Sequence, residues 1–134
     1  MDDTQNDTEL QVDATEETST VKGFAPVRLK GLHIAPRKVR VVADQIRGKS
    51  AGKALDLLAF TPRGAAEPLR KLLFSAVANA REQNEGLDVD QLVVQTIFVD
   101  QAEMMKRWTP RAQGRATRIL KKTSHVTLQL GFGV

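Results

Sequence analysis

Between Met104 and Lys122 the chain reads MMKRWTPRAQGRATRILKK, with seven basic side chains from Lys106 onward and no acidic one. The segment is too polar to form a core, and Pro110 and Gly114 break any helical pattern in it. Cations this close repel one another, so the fold must hold the segment outside its core and beside a source of negative charge. Two apolar stretches flank it. Residues 88–101, DVDQLVVQTIFVDQ, are rich in Val, Ile and Phe and read as a strand buried over much of its length. Residues 123–132, TSHVTLQLGF, alternate Val126, Leu128 and Leu130 with Thr127 and Gln129, which is a second strand. If these strands pair antiparallel, the basic segment becomes an extended β-hairpin leaving the domain over about residues 100–122. Its turn residues place the tip near residues 108–114. About ten residues per arm, at roughly 3.3 Å each, carry the tip on the order of 30 Å outward.

A two-stranded ribbon is marginal in water. This one becomes ordered only against a partner that supplies negative charge, and phosphate does so, with Arg offering it two parallel hydrogen bonds. The rest of the chain agrees. Residues 1–20 hold seven acids (Asp2, Asp3, Asp7, Glu9, Asp13, Glu16, Glu17) and no base. The whole chain has 20 bases and 16 acids, so nine acids and a net charge of +11 remain beyond that segment. Nucleic acid is the first expected partner of so basic a domain, with an anionic membrane surface or an acidic protein second.

The acidic segment is polar and poor in apolar residues. It reads as a disordered tail, either solubilising or shielding the basic surface before assembly. At 134 residues the chain has one expected domain, spanning residues 21–134. Cysteine is absent, which removes disulfides and thiolate metal sites and fits a reducing cytoplasm. The apolar runs are far too short to span a membrane. The N-terminus lacks the basic and apolar regions of a secretory signal.

Residues 24–34, FAPVRLKGLHI, alternate loosely, with Val27, Leu29 and Gly31 on one side and Arg28 and Lys30 on the other: a half-buried strand. Pro36 suits a helical first turn. Val39, Val42, Ala43 and Ile46 then repeat at helical spacing up to a Gly48 cap. Ser50 is placed to cap a second helix whose apolar set is Ala54, Leu55, Leu57 and Leu58, ending before Pro62. A third helix starts near Ala65 and carries Leu69, Leu72, Leu73, Ala76, Val77 and Ala80 on one stripe. The expected fold is α+β: a small antiparallel three-stranded sheet packed with three helices, plus the long extended hairpin.

The hairpin residues resemble those of the bacterial large-subunit ribosomal protein twenty-two family. Met105, Lys106, Arg107, Pro110, Arg111, Ala112, Gly114, Arg115, Ala116, Arg118, Ile119, Thr123, Ser124 and His125 match its pattern in order. The block PRKVRVVADQIRGK is similar to the family's first-helix signature, and SAVANA to the end of its long helix. The resemblance covers about residues 24–130. There are departures. The acidic first twenty residues have no counterpart in the compact form of the family. Ala35 stands where a capping Ser is common, at a cost of about 1 kcal/mol. Lys122 replaces the more usual Arg, and the end GFGV is individual.

The resemblance implies a structural constituent of the large ribosomal subunit, cytoplasmic, that binds large-subunit rRNA and aids assembly. Its partners would be rRNA, neighbouring ribosomal proteins and the nascent peptide passing the hairpin tip in the exit tunnel. It implies no membrane, homo-oligomer, cofactor or metal. Lys106, Arg107, Arg111, Arg115, Arg118, Lys121 and Lys122 are the expected phosphate and sugar contacts. Met105, Lys106, Arg107, Trp108, Thr109, Pro110 and Arg111 are the expected tunnel-facing tip. Gly114 serves either close backbone approach or a turn with positive φ. Trp108 either stacks on a base or packs within the ribbon. The Met pair meets the tunnel wall or fills a gap. Arg37, Lys38, Arg40, Arg47 and Lys49 form a second RNA face or are solvated. His125 hydrogen-bonds either rRNA or the neighbouring strand.

Competing classes are weaker. An enzyme needs clustered carboxylates or a partnered His, but the two histidines lie far apart in sequence, and Asp88 and Asp90 read as turn residues. A DNA-binding module would place its charge on a recognition helix rather than a hairpin. The remaining alternative is a general structured-RNA-binding or RNA-chaperone protein outside the ribosome.

Overall fold

The computed structural model of the protein describes residues 23–133. The expected acidic tail, residues 1–20, lies outside the described residues. Strand β1 (Val27–Leu32) is followed by three helices, α1 (Pro36–Ile46), α2 (Ala51–Phe60) and α3 (Ala66–Gln83). A 3₁₀ turn (Val89–Gln91) leads into β2 (Leu92–Gln101). Next come β3 (Met105–Pro110), a short turn (Ala112–Gly114), β4 (Ala116–Lys121) and β5 (Ser124–Phe132). The sheet is antiparallel with order β1-β5-β2, and β3 and β4 pair separately as a two-stranded ribbon. The α+β arrangement expected from the sequence is the one observed.

Helical spacing explains which face each helix buries. Val39, Val42, Ala43 and Ile46 of α1 are fully buried, as are Leu69, Leu73 and Ala80 of α3, with Leu72, Ala76 and Val77 nearly so. They close on Val126, Leu128 and Leu130 of β5 and on Leu92, Val94, Ile97 and Val99 of β2. Each fully buried Leu, Ile or Val contributes about 1.5–3 kcal/mol over its exposed state. The core therefore fills the space between the three helices and one face of the sheet. Phe24 and Phe132 close one end, with ring centroids 5.2 Å apart.

Three local expectations differ from the structure. β2 is buried on alternate residues rather than along its length, since helices cover only one sheet face. Gly31 does not continue the inward set of β1. It has φ +71° at a register shift between Leu29 and Leu32, so Leu32 takes the inward place. Glycine adopts that left-handed backbone at least cost. Ser50 stands at the start of α2 without a side-chain capping bond, and it bridges Val93 instead.

A second irregularity sets the edge of the sheet. β2 is an edge strand, and its register shifts between Val94 and Thr96. One extra residue reverses which groups face outward. Before the shift, Val94 N–H donates to Lys49 O and Gly48 N–H donates to Val94 O, both at 2.9 Å. After it, the carbonyls of Ile97 and Val99 face outward and accept from Arg47 and Arg40. An open edge invites pairing with another chain, and these partners occupy it.

Candidate nucleic-acid interface

The ribbon is built by register. Met105 faces Lys121, Lys106 faces Leu120, Arg107 faces Ile119, Trp108 faces Arg118, Thr109 faces Thr117 and Pro110 faces Ala116. Opposed residues share a face, and faces alternate along each strand. Arg107 and Lys121 therefore lie on one face, Lys106 and Arg118 on the other. Arg111 and Arg115 flank the turn, where Arg111 N–H donates to Arg115 O at 2.7 Å. All seven predicted cations are exposed. None of the seven forms an ion pair among the described residues.

The turn falls within the expected tip, residues 108–114, at its far end. Its tight residues are Ala112–Gly114, with Gln113 at φ 62° and Gly114 at φ 69°. Gly114 adopts the positive φ of one of its two sequence readings, and no other part of the described chain lies within 4 Å of a Cβ built there. Thr109, Pro110 and Arg111 stand at the turn, whereas Met105 and Lys106 begin β3 at the end nearest the sheet. The sequence signals, Pro110 and Gly114, bracket a turn without saying which pairs precede it. Six ladder pairs at about 3.3 Å each give the ribbon a length of about 20 Å.

Ribbon and sheet meet at an elbow. Gln101 pairs with Ser124 and Met105 with Lys121, which leaves three residues on one strand opposite two on the other. Such an offset bends and twists a ladder. Ala102 N–H donates to Thr123 O at 3.0 Å, and the buried Thr123 hydroxyl donates to Glu103 O. A hollow of about 290 Å³ opens here, lined by His33, Ala35, Met105, Leu120 and Lys121 to Thr123. Met105 thus lines the elbow. Trp108, opposite Arg118, is 65% exposed.

The expected second face on α1 divides. Arg40 donates to Val99 O through Nε at 3.2 Å and Nη2 at 2.9 Å. Arg47 donates to Ile97 O at 2.8 Å and to Asp44 at 2.6 Å. These two guanidiniums hold the sheet edge, an assignment that helical periodicity alone could not reveal. Arg37, Lys38 and Lys49 are exposed. Lys38 is joined by Arg63, which sequence reasoning missed, around a hollow of about 400 Å³. For His125 the neighbouring-strand contact is observed: its Nδ1 accepts from Gly31 N–H at 3.0 Å. Sequence reasoning assigned Arg28 and Lys30 only an outward direction, and it passed over Phe98.

No described helix is long and apolar enough to cross a membrane. A small α+β domain that projects a two-faced cationic ribbon carries the electrostatic footprint of the nucleic-acid-binding class of proteins. Residues 27–131 match the family model described as Ribosomal protein L22p/L17e, and the chain belongs to that family. A large ribosomal subunit protein uL22 of Anaeromyxobacter sp. (strain Fw109-5) is 56% identical over 103 residues, covering 77% of this chain and 72% of that protein. Proteins of the same name from Anaeromyxobacter sp. (strain K) and Anaeromyxobacter dehalogenans (strain 2CP-C) are each 55% identical, covering 77% of this chain and 70% of theirs.

Proposed function

We infer that this chain is a structural constituent of the large ribosomal subunit that binds large-subunit rRNA and aids its assembly. Its place is the cytoplasm, within the subunit, and its role is architectural rather than catalytic. The observation that carries the reading is the distribution of charge on the ribbon. Lys106 and Arg118 occupy one face, Arg107 and Lys121 the other, with Arg111 and Arg115 at the turn. A protein lying on a surface needs cations on one face only. Cations on both faces suit an arm surrounded by phosphate.

The far end of the ribbon, Trp108 to Gly114, is the part proposed to reach the wall of the nascent-peptide tunnel. The neighbouring partners there are rRNA, other ribosomal proteins and the passing peptide. Met105 and Lys106 stand back at the elbow side. Support comes from family membership and from the exposure of Trp108.

The test is salt-washed sedimentation of the tagged chain from its own cells. The expected result is about one copy per large subunit, retained through a wash that strips loosely held basic proteins. A chain that runs free or scatters across RNA fractions is instead a general structured-RNA-binding or chaperone protein outside the ribosome.

A further inference from the structure

The helices cover one face of the three-stranded sheet, and the opposite face is open. Across it, Phe98 of β2 lies opposite Thr127 of β5, which lies opposite Arg28 of β1. The next row pairs Asp100 with His125. Phe98 is 46% exposed although it sits mid-strand. Together with Lys30, these side chains line a hollow of about 310 Å³. Neither Arg28, Lys30 nor Asp100 forms an ion pair among the described residues.

We propose that this face is a second RNA-binding site, separate from the ribbon, that takes one unpaired nucleotide with its base stacked on Phe98. The proposal rests on the RNA-binding reading above. Three features select a nucleotide over a protein partner. Phe98 is the single large apolar side chain lining the outer side of the hollow, so there is no apolar patch for a protein core to cover. A lone aromatic ring beside cations is how sheet surfaces hold unstacked bases. The charge is also polarised across the strands. Arg28 and Lys30 lie on β1, and Asp100 lies two strands away on β2. Phosphate therefore belongs on the β1 side. The Asp100 carboxylate repels phosphate and accepts hydrogen bonds from base N–H groups, which places the base edge on the β2 side.

His125 completes the site between them. Its Nδ1 accepts from Gly31 N–H, so the neutral ring carries its proton on Nε2 and keeps a donor for the nucleotide. The positive φ of Gly31 turns that N–H toward the ring. β2 and β5 run on through the elbow into the ribbon, and Phe98 lies seven residues before Met105. One RNA segment can thus follow the ribbon and reach the hollow.

The experiment measures binding of the full chain to transcribed large-subunit rRNA, comparing F98A, F98L and F98Y with the ribbon variant R111A/R115A. Stacking predicts that F98A and F98L bind about 5- to 150-fold more weakly while F98Y matches the parent. Ultraviolet irradiation of the parent complex should leave a nucleotide adduct on the peptide holding Phe98. Thermal unfolding of F98L guards against a folding defect. If F98L binds like the parent, stacking is overturned, whether F98A is weakened (an apolar protein contact instead) or not. In that event, weakened binding by R111A/R115A leaves the ribbon reading intact. If R111A/R115A also binds unchanged, the ribbon reading fails as well, and a parent chain that does not bind the rRNA removes the RNA-binding reading itself.

Discussion

The guanidinium of Arg40 donates two hydrogen bonds to the carbonyl oxygen of Val99, fifty-nine residues away, at 3.2 and 2.9 Å. A charged side chain on the exposed side of α1 thus completes the edge of the sheet. Arg40→Ala should lower stability by about 1–2 kcal/mol, because Val99 O loses a charge-assisted donor. Arg40→Lys should recover only part, lacking the fork. Urea unfolding measures the loss. Affinity for rRNA should change less than in Arg111→Ala, which separates the edge-holding arginine from the ribbon ones.

Ser124 is fully buried, and its hydroxyl donates to Ile34 O at 3.0 Å, tying β5 to the segment that enters α1. Ser124→Ala leaves that carbonyl without this donor. The expected cost is about 1–2 kcal/mol, read as a lower urea midpoint with an unchanged slope.

At the turn, Gln113 and Gly114 both have positive φ. Gly114→Ala should disfavour the turn by about 1–2 kcal/mol. The domain's unfolding midpoint should barely move, since no ribbon residue belongs to the core. The loss should instead appear as about 5- to 30-fold weaker binding of the full chain to transcribed large-subunit rRNA, since the ribbon becomes ordered on binding.

Seven ribbon cations, if all meet phosphate, give rRNA binding a log–log salt slope of about −5 to −6. Removing Arg115 or Arg118 singly should make the slope shallower by about 0.7–0.9, with similar effects at either position. A titration from low to moderate potassium chloride reads this directly. An unchanged slope would mean that the side chain meets no phosphate.

In the free protein, amides of β3 and β4 should exchange far faster than those of Val126 and Leu128 in the central strand. The ribbon residues are exposed except for the half-buried Thr109, and the ribbon has no core of its own. Slow exchange across the ribbon without RNA would contradict this.

Sequence by itself determined the elements and the chemistry of the ribbon. Burial of Val39, Val42, Ala43 and Ile46 follows from a 3.6-residue period, and that of Val126, Leu128 and Leu130 from a period of two, because each pattern is local. The projecting arm was legible for a related reason: seven like charges between two strands have no place in a core. What tertiary structure alone decided is everything that depends on register and on distant partners. The one-residue shift in β2 settles which carbonyls face outward, and so turns Arg40 and Arg47 toward the sheet edge. The offset at the elbow brings Met105 and His33 to the same hollow, and the ladder register fixes the turn at Ala112–Gly114. The order β1-β5-β2 brings Arg28, Phe98 and His125 onto one face. None of these contacts leaves a periodic trace in the chain, since each joins residues whose separation along the backbone is set by the packing between them.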